Sequence, residues 1–185
     1  SGRIAERLVA FFFMPAVKQI VSEAAKIRYR SNNDWSCPLV VRAPYGGGIH
    51  GALYHSQSVE AMFAGTPGLK IVIPSSPHDA KGLLKAAIRD EDPVLFFEHK
   101  RAYRLIKGEV PLDDYTLPIG KAEVKREGDD ITVITYGLAV HFAMQAAERL
   151  SADGIEAHIL DLRTVYPLDQ AAIIEAASKT GKVLL

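Results

Sequence analysis

Apolar residues recur at Val17, Ile20, Val21, Ala24 and Ile27, close to a 3.6-residue period, which predicts a helix over 14–31. Pro15 suits its first turn, where a backbone N–H would go unpaired in any case. Residues 38–43 (PLVVRA) form a short β-branched run that predicts a buried strand. The stretch YGGGIHG over 45–51 predicts a loop, because three successive glycines stabilise neither regular structure. A short helix over 58–64 closed by Gly65 and a strand over 69–73 follow. Ser76, Pro77 and Asp79 then form a helix start, with a capping hydroxyl, a first-turn proline and an acid at the positive end of the dipole. Ala80, Leu83, Leu84, Ala87 and Ile88 give that helix one apolar face, and VLFF over 94–97 predicts the next strand.

Beyond a polar stretch over 107–118 that holds Gly108, Pro111, Asp113, Asp114 and Pro118, the same alternation resumes. Strands are predicted over 131–136, 155–160 and 182–185, and helices over 139–150 and 168–178. Strands alternating with helices imply parallel sheets with helices on both faces, joined by right-handed crossovers. The predicted class is therefore α/β, in two units: 14–106 and 119–185, with 107–118 as the linker. Residues 1–13 stand apart: Ser1–Gly2 resembles a cloning scar, and Phe11, Phe12 and Phe13 end a segment with little polar punctuation. The abrupt ends suggest a piece of a longer chain. Apolar faces that would normally pack on another subunit are expected to drive self-association.

Composition narrows the classes. Of 185 residues, 48% are hydrophobic and 24% charged, which fits a globular chain and excludes a disordered tail. Lys+Arg and Asp+Glu number 22 each, so no net field favours nucleic acid or anionic lipid. No apolar run reaches the roughly 18–20 residues that cross a bilayer. Cys37 is alone, which fits a reducing compartment, and before Pro38 at a strand start it reads as a small buried hydrophobe rather than a nucleophile. Cytoplasm is the default localisation.

Several features carry candidate chemistry. The Gly46–Gly48 loop lacks the Lys-Ser/Thr ending of a P-loop and the spacing of a dinucleotide fingerprint, so a plain turn remains open beside a phosphate cradle. His50 and His55 fall at the carboxyl end of a parallel strand, where open α/β folds take ligands. Their spacing is not that of a helical metal pair, and each reads either as structural or as an acid, base or donor. Asp90, Glu91 and Asp92 follow a helix C-terminus, where carboxylates oppose the dipole. They form either a solvated turn or, with the unpaired carbonyls, an oxygen-rich site for a hard cation. No G-x-S-x-G elbow surrounds Ser36, Ser56, Ser58 or Ser178. Lys26, Arg28 and Arg30 read as the cationic last turn of the first helix rather than as a phosphate site.

The segments MPAVKQIVSEAAKIRYRSNN, RAPYGGGIHGALYHSQSVEAMFAGTPGLKIVIPSSPHDAKGLL, RDEDPVLFFEHKRAYR, ITVITYG and DLRTVYPLD occur in this order. Together they resemble the β subunit of the E1 component of 2-oxo acid dehydrogenases, the branched-chain (2-oxoisovalerate) type most of all, from about Met14 to Leu185. The resemblance implies a thiamine-diphosphate pyrimidine-binding domain, incomplete at its N-terminus, followed by part of a transketolase C-terminal-like domain. It implies an α2β2 assembly in which the E1 α subunit holds the diphosphate and Mg²⁺ and the β chain the aminopyrimidine. The activity implied is decarboxylation of branched-chain 2-oxo acids and transfer of the acyl unit to a lipoyl group of E2, with no nucleic-acid or membrane partner.

Residue by residue, the resemblance implies that His55 acts in acid/base steps and that Phe12 packs on the aminopyrimidine. It maps an alkali-metal site, taken as K⁺, onto the backbone oxygens of Leu39, Val40, Ala87, Asp90 and Asp92, where the ion would order a loop beside the cofactor. His50 is placed in the substrate channel or just behind it. The N-terminal segment departs from the pattern: Leu8 and Phe11 stand where a glutamine and an aspartate are expected, and the glutamate that activates the pyrimidine lies outside this sequence. The chain alone is therefore expected to be inactive. Two other readings stay open: a piece of another transketolase-like enzyme, such as a transketolase or deoxyxylulose-phosphate synthase, and a non-catalytic assembly module.

Overall fold

A computed structural model describes residues 3–6 and 14–185. Its first half contains β1 (Arg3–Glu6), β2 (Leu39–Tyr45), β3 (Lys70–Val72) and β4 (Val94–His99). These pair in parallel in the order β1-β2-β4-β3. Residues 3–6, set apart by sequence, lie in register with Leu39–Arg42.

The central strands are apolar on both faces because both are covered. Val41, Ala43, Ile71, Leu95 and Phe97 pack with Ile20 and Ala25, and with Phe63 of α2 (Glu60–Ala64). Val40, Val72, Val94 and Phe96 turn the other way, onto Leu83 and Ala87 of α3 (Pro77–Arg89). The Ser76 hydroxyl caps α3, accepting from the Asp79 N–H at 3.1 Å. The helix expected over 14–31 is present over 14–30 but irregular. It widens to π geometry at Gln19–Glu23, tightens at Ala24–Lys26 and ends in α1 (Ile27–Arg30).

A one-turn helix, α4 (Ala102–Leu105), follows β4, and the chain then runs along α3. The Tyr115 hydroxyl donates to the His78 carbonyl at 2.9 Å, its ring stacks on the His78 ring, and Leu117 joins the α3 core. The polar stretch expected as a simple connection is thus a strap seated on the helix.

The second half adds β5 (Glu123–Arg126), β6 (Ile131–Thr135), α5 (Leu138–Ala152), β7 (Ala157–Asp161), β8 (Thr164–Tyr166), α6 (Gln170–Thr180) and β9 (Val183–Leu184). Its sheet runs β5-β7-β6-β9. Ile134 and Leu160 face Ala176 of α6, whereas Ile159 and Ala157 face Ala147 of α5. Two edge strands depart from the parallel pattern. β5 joins β7 antiparallel, and β8 leaves its own unit to pair antiparallel with β3 of the first sheet. Among the described residues, no helix is long and apolar enough to cross a membrane.

Candidate functional site

The carboxyl ends of β2 and β4 lie side by side, with Tyr45 opposite His99. Lys100 N–H donates to the Tyr45 carbonyl at 3.0 Å, extending the ladder one residue past the strands. From Tyr45 the chain loops outward and returns, and the Gly46 N–H donates to the Gln57 carbonyl at 2.9 Å. Left-handed backbone recurs along this loop at Gly46, Gly48, His50 and Ala52. Its outer part is a single tight turn, Leu53–His55. His55 is exposed there, beside the exposed Ile49, Leu53 and Tyr54. The His55 carbonyl accepts from Lys100 Nζ. His50 lies on the same exposed rim.

Sequence reasoning passed over the residues beneath this loop. The half-buried His99 ring meets the Tyr45 ring edge-on at 5.1 Å, and burial, then Lys100 and Arg101, lower its pKa. Arg42 forms a forked pair with Glu98, at 2.7 and 3.1 Å, and the Tyr103 hydroxyl donates to the same carboxylate at 2.8 Å. A cavity of about 340 Å³ opens beside them, between Ser75, Ser76, Glu98, His99, Tyr103 and Ile106. The signal for these residues was the run EHKR at the end of a strand whose neighbour carries the glycine loop. Tyr136 donates to the buried Glu60 at 3.1 Å, and burial, then Glu60, push the Tyr136 pKa up to about 12.

The acidic turn lies at the other end of the strands. Lys70 Nζ bonds both Asp90 carboxylate oxygens at 2.7 Å, and Arg28 meets Asp92 at 2.5 Å and Glu91 at 3.3 Å. Lysine and arginine, not solvent, neutralise the carboxylates that oppose the α3 dipole. Cys37 N–H donates to the Glu91 carbonyl at 3.0 Å, tying the approach to Leu39 and Val40 onto the turn. Asp90 N–H turns back onto the Ala87 carbonyl at 3.3 Å. These bonds bring the approach to β2 beside the turn that ends α3. Six residue steps of β2 separate Leu39 from Tyr45, about 20 Å at the usual rise, so this corner is remote from His55. Cys37, expected as a buried hydrophobe, is only partly buried, on the wall of a second cavity of about 750 Å³ at this end. Phe12, Leu8 and Phe11 lie outside the described residues.

The model of the transketolase pyrimidine binding domain matches residues 3–106, more than half of the chain. The chain belongs to the transketolase pyrimidine-binding-domain family. The model of the transketolase C-terminal domain matches residues 120–185. A 2-oxoisovalerate dehydrogenase subunit beta of Bacillus subtilis (strain 168) is 85% identical over 182 residues, covering 98% of this chain and 56% of that protein. A pyruvate dehydrogenase E1 component subunit beta of the same organism is 48% identical over 174 residues, covering 94% and 54%. The mitochondrial 2-oxoisovalerate dehydrogenase subunit beta of Dictyostelium discoideum is 49% identical over 184 residues, covering 98% and 50%. The chain spans about half the length of these relatives. Among solved structures, a split-gene transketolase described as an inactive beta4 tetramer superposes with a TM-score of 0.76 at 25% identity, covering 97% of this chain and 55% of that one. In this family the pyrimidine-binding unit is the one that carries the His55 loop here.

Proposed function

We propose that this chain is the greater part of an E1 β subunit that, with an E1 α subunit in an α2β2 assembly, decarboxylates branched-chain 2-oxo acids and passes the acyl unit to the lipoyl group of E2. The observation that carries this reading is the 85% identity to a 2-oxoisovalerate dehydrogenase subunit beta across 98% of the chain. Identity to the pyruvate dehydrogenase counterpart is 48%, which favours the branched-chain acid. The cytoplasm belongs to the same reading.

Thiamine diphosphate, when bound, supplies the carbanion chemistry of the decarboxylation. The described residues fit such a group at the carboxyl-end rim, where His55 stands exposed among Ile49, Leu53 and Tyr54 and can face a site completed by a second subunit. An imidazole placed there can serve as a general acid or base. Phe12 is assigned to the aminopyrimidine and His50 to the substrate channel. Mg²⁺ would come with the diphosphate on the α side. K⁺ would be held by the carbonyls of Leu39, Val40, Ala87, Asp90 and Asp92, where it would brace the acidic turn against β2.

The test is turnover of 2-oxoisovalerate, followed by dye reduction, with the full-length β chain, a separately prepared α subunit, thiamine diphosphate and Mg²⁺. His55→Ala is expected to lower turnover by about 10²-fold or more. Unaltered turnover would favour a non-catalytic module, and turnover of pyruvate alone would favour the pyruvate type.

A further inference from the structure

We infer that His99, Lys100 and Arg101 are positioning residues that lock the 46–57 loop in the shape that presents His55 at the rim. The inference deepens the proposed role of His55 and rests on it. Three consecutive residues leave β4, and each meets a different part of the loop. The His99 ring covers Gly46 so closely that a Cβ there would overlap it. The Arg101 side chain lies against Gly48, with its Cδ 3.0 Å from where a Cβ would stand. Lys100 holds both ends of the excursion: its N–H bonds the Tyr45 carbonyl at 3.0 Å, and its Nζ donates to the His55 carbonyl.

The loop needs such support. His50 and Ala52 have φ of +57° and +51°, a region L residues enter at a cost in free energy. Backbone of this kind persists only where the surroundings over-determine it, and it concentrates at functional sites. The loop's outer residues, 52–55, are exposed. The clamp is ordered in turn: His99 Nδ1 accepts from the Arg101 N–H at 3.3 Å, which keeps that nitrogen free of a proton and leaves the N–H on Nε2, against Gly46. Burial of the ring favours the same neutral state. His99 is also held by the Tyr45 ring, so the clamp is anchored in the sheet core through a buried residue.

The experiment uses the full-length β chain assembled with its α subunit and cofactor. Lys100→Met is expected to speed hydrogen exchange at the Gly46 amide and across 51–56 by roughly tenfold or more, with Lys100→Arg restoring protection. The same variant should lower kcat by about tenfold with KM for the 2-oxo acid unchanged, because a misplaced group loses rate rather than binding. Combined with His55→Ala it should cost nothing further. His99→Ala, which opens space over Gly46, is the second variant and should give the same two signatures. Unchanged exchange in both variants would overturn the clamp, as would losses that multiply in the double variant. Full turnover by His55→Ala would instead overturn the functional reading, and the exchange result would stand independently of it.

Discussion

Arg163 Nη2 donates to Asp79 Oδ1 at 2.6 Å, and both side chains are buried where the second half of the chain meets the first. Around this pair, Lys125 reaches Asp79 Oδ2 at 3.1 Å and the Ser76 hydroxyl reaches the same atom at 2.7 Å. Ser75 donates to Asp161 Oδ2 at 2.5 Å. The sequence pattern places Asp79 as a helix-start acid at the positive end of the dipole. In the structure that acid, buried at the amino end of α3, takes cations from β5 and from the turn before β8. The contact explains why β8 crosses to the first sheet: Arg163 carries the chain there, and its carbonyl accepts from Ile73 N–H at 2.8 Å.

The two buried acids should respond to pH in opposite ways. Burial alone would raise the Asp79 carboxyl, but the Ser76 hydroxyl, Arg163 and Lys125 outweigh it and hold it below the ordinary range. Its contribution is full above the unfolded value of about 3.9 and is lost as pH falls through the lower folded value. Burial raises Asp161 despite Ser75 and the Arg163 N–H, so its penalty is present at neutral pH and fades as pH falls through the folded value. Asp79→Asn should therefore cost about 3–5 kcal/mol at pH 7, the range for a buried pair broken on one side, and Asp161→Asn clearly less. Urea midpoints at pH 7 decide this, and equal losses would refute it.

Legibility differed by layer. The buried strands β2 and β4 and the helices α3 and α5 show in the sequence because their apolar runs are long or periodic, and α3 also carries an explicit cap in Ser76. β5 (EVKR) and β8 (TVY) do not show, being short edge strands whose pairing is set by neighbours rather than by pattern. At the site, the glycine loop and His55 are legible, since such glycines at a strand end mark a place where backbone must turn. His99 and Glu98 are marked only by the polar run EHKR after VLFF, and a strand that reads as core does not say which of these residues ends at the rim. The acidic turn is half legible: its carboxylates are plain, but their partner Lys70 lies 20 residues away on another strand.

Lys70 and Asp90 should be coupled. Lys70→Met leaves a largely buried carboxylate without its cation, and Asp90→Asn in the same chain should recover part of the loss, with a coupling energy of about 1–2 kcal/mol in urea denaturation. The same turn tests the potassium proposal. KCl should raise the melting temperature above that in choline chloride of equal ionic strength. Identical melting in the two salts would remove potassium from this corner.

Cys37 should be a slow thiol. Burial, then the Asp92 charge, raises its pKa, so less thiolate is present at pH 8 than for a free cysteine. Alkylation by iodoacetamide at pH 8 should run several-fold below the free amino acid, by about fivefold. Asp92→Asn should recover part of that rate by removing the charge. A rate equal to that of free cysteine would show that neither effect operates.

Gly82 sets helix propensity against packing, and the structure says which wins. In an exposed helix interior, Gly→Ala stabilises by about 1 kcal/mol. In α3 a Cβ at position 82 would stand 2.7 Å from Leu117 Cγ and 2.8 Å from Tyr115 Cε2, and the strap that carries them is fixed by the Leu117 N–H to the Gly82 carbonyl at 3.2 Å. Overpacking of this kind costs about 1–3 kcal/mol, so Gly82→Ala should lower the urea midpoint. Leu117→Ala removes Cγ and Cδ1, two of the three close atoms, leaves Tyr115 Cε2 as the remaining one, and opens a gap when made alone. The two together should therefore be more stable than the sum of the single losses. A raised midpoint for Gly82→Ala would mean that propensity prevails and that the strap over 107–118 yields to a methyl group.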